Sequence, residues 1–172
     1  MKKILLIIAH KNYRDEEYEN TRKSLENAGV SVSVASTSLE DAEGMKGGKA
    51  KIDFLLRDVS DEDFGGIAFI GGSGSKTYVG HAVASNLARE FLSKGKVVGA
   101  ICYAPAILAK AGILKGKKAT GWKTDDNNEV PKLITEEEGI YSDESVVADG
   151  KIVTAFNHLS AEDFGKELAK LL

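Results

Sequence analysis

Lys96-Val97-Val98-Gly99-Ala100-Ile101-Cys102-Tyr103-Ala104-Pro105-Ala106-Ile107-Leu108-Ala109-Lys110 is the stretch that decides the fold of this chain. It opens as a β-branched apolar run, the pattern of a parallel strand buried on both faces. It continues as an Ala/Leu/Ile-rich segment that fits a short helix. The single cysteine of the chain stands where one becomes the other. A side chain on a sharp strand-to-helix turn is pushed out beyond the sheet, beside free N–H groups and the positive end of the helix dipole. That setting is expected to lower a thiol pKa. A serine elbow uses the same geometry, although the spelling G-x-S-x-G is absent here. A lone cysteine is more often a small buried hydrophobe, but the position of Cys102 favours function.

Outward from this stretch, strands and helices alternate. Gly66-Ile67-Ala68-Phe69-Ile70-Gly71-Gly72 reads as a buried strand ending in glycines. An amphipathic helix follows over about residues 80–94, closed by Gly95. Past Cys102 a helix runs to Gly112, and residues 121–128 have the composition of an exposed loop able to cover a cleft. Val146-Val147-Ala148 and Ile152-Val153-Thr154-Ala155 form a hairpin through Asp149-Gly150. Ser160 is expected to cap a last helix, with Asp163 in the acid position of a loose capping box.

Toward the N-terminus, Ile4 to Ala9 reads as a central strand and residues 10–14 as a polar loop. The acidic Asp15-Glu16-Glu17 starts a helix that ends near Gly29. Residues 30–36 alternate as a strand. Glycines 44, 47 and 48 break the pattern that follows, residues 50–54 could form a hairpin arm, and residues 61–64 look like one helical turn. The whole predicts an α/β fold: one domain with a mostly parallel sheet and helices on both faces.

At 172 residues with 42% apolar and 28% charged residues, the composition is that of an ordinary globular protein. The net charge of -3 and the lack of a basic stripe give no expectation of nucleic acid. The apolar runs are too short to span a bilayer, so no membrane partner is expected. The basic start at Met1 is followed at once by a strand-like run and charge, which reads as the first strand rather than an export signal. One cysteine cannot form an internal disulfide, which suits a cytoplasmic protein.

In such folds ligands bind beyond the carboxyl ends of the strands. Glu17, Gly71-Gly72 and Cys102 meet at that edge. Glu17 is either a dipole-favoured residue of the first helical turn or a carboxyl partner of the Cys102 sulfur, acting as acid or base. Gly72 and Tyr103 could supply backbone N–H groups to an oxyanion hole. Gly72-Ser73-Gly74 matches neither the dinucleotide fingerprint nor a P-loop. His10, His81 and His158 are too scattered for a metal site. His81 is placed on a solvated helix face. His158, just after the last strand, is either a surface histidine or a base near the thiol. Trp122 could shield the cleft or anchor its loop. Residues 10–14, 73–80 and 121–130 are expected to shape the pocket, and none carries a motif.

Taken together, Asp15-Glu16-Glu17-Tyr18, Ile70-Gly71-Gly72, Ala100-Ile101-Cys102-Tyr103-Ala104-Pro105, residues 111–120 and Asp149-Gly150-Lys151-Ile152-Val153-Thr154 span nearly the whole chain. In that order they resemble the PfpI family, the intracellular-protease-like and DJ-one-like branch of the class I glutamine amidotransferase superfamily. The resemblance implies a flavodoxin-like three-layer sandwich, a homodimer or higher homo-oligomer, and no bound cofactor. It assigns Cys102 as nucleophile, Glu17 as its carboxyl partner and Gly72 as an oxyanion donor. The chain also departs from the family pattern. Tyr103 stands where proteolytic members have histidine, and Lys76 stands where they have an acid supplied by a neighbouring subunit. Trp122 falls on a histidine position of the DJ-one branch, and Phe156-Asn157-His158 replaces an Arg-x-Pro.

Three functions are therefore open. One is a thiol enzyme acting on small reactive carbonyls, glyoxalase- or deglycase-like, in stress protection. The second is a cysteine peptidase or amidase acting on peptides, which the absence of the family histidine disfavours. The third is a redox sensor or chaperone that oxidises at Cys102.

Overall fold

The computed structural model describes residues 2–172. Seven strands form its main sheet: β1 (Lys3–Ile7), β2 (Ser31–Ser36), β3 (Phe54–Leu55), β4 (Gly66–Phe69), β5 (Val97–Ile101), β6 (Val146–Asp149) and β7 (Ile152–Ala155). They lie in the order β6-β7-β5-β4-β1-β2-β3. Every pairing is parallel except the β6–β7 hairpin.

The unbroken apolar runs follow from double coverage. Leu5, Ile7, Ile67, Phe69, Val98 and Ala100 face one buried cluster, while Ile4, Leu6, Ala68, Val97 and Ile101 face the other. Side chains alternate across a strand, so a strand covered on both faces must be apolar at every position. Helices α1 (Asp15–Asn27) and α5 (Ala161–Leu171) cover one face with Tyr18, Leu25, Phe164 and Leu168. On the other, α2 (Ala82–Ser93), α3 (Pro105–Lys110) and α4 (Glu129–Glu136) contribute Leu87, Phe91, Ile107, Val130 and Ile134. The result is the three-layer α/β sandwich expected from the sequence.

The crossing of α1 and α5 is close because residue 165 is glycine. A Cβ there would lie 2.7 Å from the Ser24 Cβ and 2.9 Å from the Thr21 carbonyl oxygen. Ser24 Oγ donates across the same seam to the Glu162 carbonyl at 2.8 Å. Gly165→Val is therefore expected to cost about 3 kcal/mol through overpacking, read from the denaturant midpoint. A loss below about 0.5 kcal/mol, the range of ordinary surface substitutions, would show that the two helices can part freely.

Four local expectations are corrected. Residues 10–14 are not simply a loop: Lys11–Tyr13, Ala42–Gly44 and Lys49–Ala50 make a small second sheet, and Tyr13 is buried. The hairpin arm at residues 50–54 is split, with Lys49–Ala50 in that small sheet and β3 joining the edge of the main one. The Ser160 side chain makes no cap hydrogen bond. Asn157 instead accepts from the Leu159 N–H at 3.0 Å and starts the turn that leads into α5. His81 is the cap of α2 rather than a solvated residue on its face, accepting the Ala84 N–H at Nδ1 over 3.4 Å.

Candidate active site

In the order β2-β1-β4-β5, the chain leaves β1 toward one side for β2 and returns on the other side for β4. The crevice at this reversal, beyond the carboxyl ends of the strands, is where open α/β sheets bind ligands. Three chain segments converge there: the start of α1, the glycine turn after β4 and Cys102 after β5.

Cys102 has φ 63°, the left-handed region that few residues other than glycine adopt. Two hydrogen bonds hold it there. Its N–H donates to the Ala155 carbonyl at 2.9 Å, and its carbonyl accepts the Trp122 N–H at 2.7 Å. Such strain persists only where the surroundings impose it, and it clusters at functional sites. The side chain is partly exposed in a cleft of about 250 Å³.

Glu17 is fully buried. Its Oε2 accepts the Gly71 N–H at 2.9 Å. Its Oε1 has no hydrogen-bond partner of good geometry, and the polar group beside the carboxyl is the Cys102 thiol. Gly71 lies between the two: a Cβ on it would meet Glu17 Oε2 at 2.6 Å and the Cys102 Cβ at 2.8 Å. Glycine is required here by this close approach, because no alanine methyl fits between acid and sulfur.

Burial pushes the Glu17 carboxyl up to about 8, against the opposing pull of Cys102 and the Gly71 N–H. Burial also pushes the Cys102 thiol up, helped by the charge and hydrogen bond of Glu17, while the N–H groups of Tyr103 and Gly72 act the other way. The expected thiol lowering by a helix dipole is not what the resting site shows. Burial and the neighbouring Glu17 outweigh it, and α3 begins only at Pro105, three residues on. The Coulombic part of the rise exists only while Glu17 is ionised, and Glu17 keeps its proton below about pH 8. A protonated carboxyl can donate to a sulfur anion, so acid and thiol form a pair able to share one proton.

Arg14, Met45, Gly72, Ser73, Lys76, Cys102, Tyr103, Trp122 and Asn127 line the cleft. Most come from the three loops expected to shape it. Trp122 does both things proposed for it, lining the cleft while packing on the core. Sequence reasoning placed Arg14 and Asn127 only within those loops, without singling them out, and missed Met45. Met45 was out of reach, since the small sheet whose turn carries it opposite Ser73 has strands of two or three residues with no periodic signal. Arg14 had one available sign, a cation directly before an acidic helix start.

His158 is not brought to the site: it sits half-buried in the turn before α5 and does not line the cleft. His10 lines a separate groove with His81. Among the described residues, no three His, Cys, Asp or Glu side chains converge to hold a metal ion, and no helix is long and apolar enough to cross a membrane.

Comparison with known proteins agrees with this geometry over the full length of the fold. A protein of Bacillus subtilis named putative cysteine protease YraA is 30% identical over 173 residues, covering 100% of this chain and 99% of the relative. A protein of Pyrococcus horikoshii named as a deglycase is 28% identical over 170 residues, covering 99% of each. The crystal structure of a ThiJ/PfpI domain protein from Brachyspira murdochii superposes with a TM-score of 0.92 at 31% identity, covering 98% of this chain and 95% of that one. The profile of the DJ-1/PfpI family matches residues 2–171. With the flavodoxin-like sheet order and the cysteine turn on the same chain, the conclusion is direct: this protein belongs to the DJ-1/PfpI family.

Proposed function

We propose that the protein is a cysteine-dependent enzyme acting on small reactive carbonyl compounds, glyoxalase- or deglycase-like, with a role in stress protection. The observation that carries this reading is one sulfur flanked by a fully buried carboxyl and two backbone N–H groups in a small cleft.

On a 2-oxoaldehyde, the Cys102 sulfur adds to the aldehyde carbon and the π pair moves to oxygen. The pair enters this step with one proton already lost to solvent; the N–H groups of Gly72 and Tyr103 receive the oxyanion, and Glu17 gives it the remaining proton, completing a hemithioacetal and leaving Glu17 a carboxylate. The Glu17 carboxylate then removes the proton from that carbon and returns it to the neighbouring one, while the hydroxyl proton passes to the former ketone oxygen. The aldehyde carbon is thereby oxidised to a thioester while the ketone is reduced to an alcohol. Water cleaves the thioester, releasing a 2-hydroxy acid and restoring the thiol. No histidine is needed. The family likeness also supports a homo-oligomeric state.

The test is methylglyoxal consumption. Cys102→Ala is expected to abolish it, and Glu17→Gln to slow it by about a hundredfold or more, the usual worth of a placed acid/base. Equal rates in wild type and both variants would remove this reading.

A peptidase reading is favoured by the name of the Bacillus subtilis relative. Against it, Tyr103 follows the cysteine and no histidine lines the cleft to protonate a leaving amine. Loss of peptide hydrolysis in Cys102→Ser, with methylglyoxal untouched by the wild type, would reverse the ranking.

A further inference from the structure

Two cations line the Cys102 cleft, and both keep donors without a partner. Arg14 donates from Nε to Glu16 Oε2 at 2.7 Å, but among the described residues its two terminal nitrogens have no hydrogen-bond partner. Its backbone is anchored, because the Arg14 N–H donates at 3.0 Å to the carbonyl of Gly71, the glycine that separates acid and thiol. Lys76 Nζ lies 4.9 Å above the Tyr103 ring and 3.7 Å from Glu129, too far for a hydrogen bond. Asn127 accepts the Glu129 N–H at 3.0 Å through its carbonyl oxygen, which leaves its amide N–H groups as further donors.

No carboxylate lines the cleft. Glu16 is shared by Arg14 and Lys46, and Glu129 lies beside Lys76 and the Tyr103 hydroxyl. The two lining cations are each balanced by one carboxylate, so what the cleft offers an anion is unfilled donors: the terminal nitrogens of Arg14 and the ammonium of Lys76. Glu17, the acid beside the thiol, adds no opposing charge while it holds its proton. The rest of the lining includes Met45, Tyr103 and Trp122, whose apolar surface strengthens the field of a nearby charge.

We propose that this cleft selects anionic carbonyl compounds. A carboxylate or phosphate docks on the Arg14 fork and the Lys76 ammonium, and the carbonyl carbon is thereby presented to Cys102. A planar guanidinium with two terminal nitrogens available suits the bidentate geometry of either anion. The volume of about 250 Å³ confines the ligand to a few carbons plus its anionic group. A neutral dicarbonyl would leave the two terminal nitrogens of Arg14 without an acceptor. The inference rests on Cys102 as the reacting group, and it refines the proposed function by naming a substrate class.

Cys102 is the only cysteine, so alkylation reports on it alone. The experiment compares its rates with iodoacetate, which is anionic, and iodoacetamide, which is neutral, each relative to glutathione. The wild type is expected to favour iodoacetate by about tenfold over the glutathione ratio, the scale of one charge-assisted contact. The preference should shrink in Arg14→Gln, in Lys76→Gln and at high salt. Slowing of iodoacetamide by inorganic phosphate, or by acetate, then identifies which anion docks. A wild-type ratio no higher than that of glutathione, or one unchanged in both variants, overturns the proposal. Anion preference without methylglyoxal consumption would sink the proposed reaction and leave this inference standing. A thiol inert to both reagents would overturn both.

Discussion

Glu17→Gln is expected to be more stable than the wild type, with a margin that widens between pH 5 and pH 8. In the unfolded chain Glu17 titrates at its ordinary 4.5, whereas burial holds it at about 8 in the folded one. Between those values the folded state keeps a proton that the unfolded state has lost, so wild-type stability falls as pH rises through the window. Below 4.5 both states are protonated and no penalty applies; above about 8 the penalty is complete. At about 1.4 kcal/mol per unit the swing reaches about 5 kcal/mol, an upper figure for a group beside Cys102, Arg14 and Glu16. Glutamine keeps an oxygen to accept the Gly71 N–H and never ionises. Glu16, which Lys46 and Arg14 hold down at about 2, is already ionised throughout the window. Denaturant midpoints at pH 5 and pH 8 measure the difference. An equal margin at both values would mean that Glu17 is ionised in the folded protein.

Gly72→Ala is expected to cost about 3 kcal/mol or more, while Gly29→Ala costs about 1 kcal/mol. Both glycines sit at positive φ, +103° and +77°. They differ in what surrounds them. Nothing lies within 4 Å of a Cβ on Gly29, which ends α1, so only the backbone conformation is penalised. A Cβ on Gly72 would meet the Arg14 nitrogen at 2.4 Å and the Asn12 carbonyl oxygen at 2.5 Å. Both are backbone atoms that cannot swing aside. Chemical denaturation of the two variants separates strain from collision, and equal losses would show that the β4 turn yields to a methyl group. Because Gly72 also presents an N–H toward the sulfur, its variant is expected to alkylate differently at Cys102.

The main sheet was legible because its strands are buried on both faces, and Ile4–Ile8, Ile67–Ile70 and Val97–Ile101 leave no other reading of their apolar runs. Gly29 and Gly95 marked helix ends because a positive φ suits little else. The small sheet was hidden, since strands of two or three residues have no period to detect. Asp15 shows the cost of that. It looked like a helix-start acid, yet its carboxyl accepts the Lys46 and Gly48 N–H groups at 2.9 and 2.8 Å and fastens the loop that brings Met45 to the cleft. Glu17 and Cys102 could be named from position. Their proton balance could not, because it depends on burial. His158 was drawn toward the site by its nearness in sequence to β7, but the turn after Asn157 carries it out of the cleft wall.

The two bonds that clamp the cysteine backbone run to Ala155 and Trp122, both made later on the ribosome than Cys102 itself. A nascent chain that has just released its thiol therefore lacks the parts that twist it into position. Translation must pass β7 before the Cys102 backbone can be held in its left-handed conformation. A chain stopped before Val146 would leave β5 as a raw sheet margin and the Cys102 N–H without its acceptor.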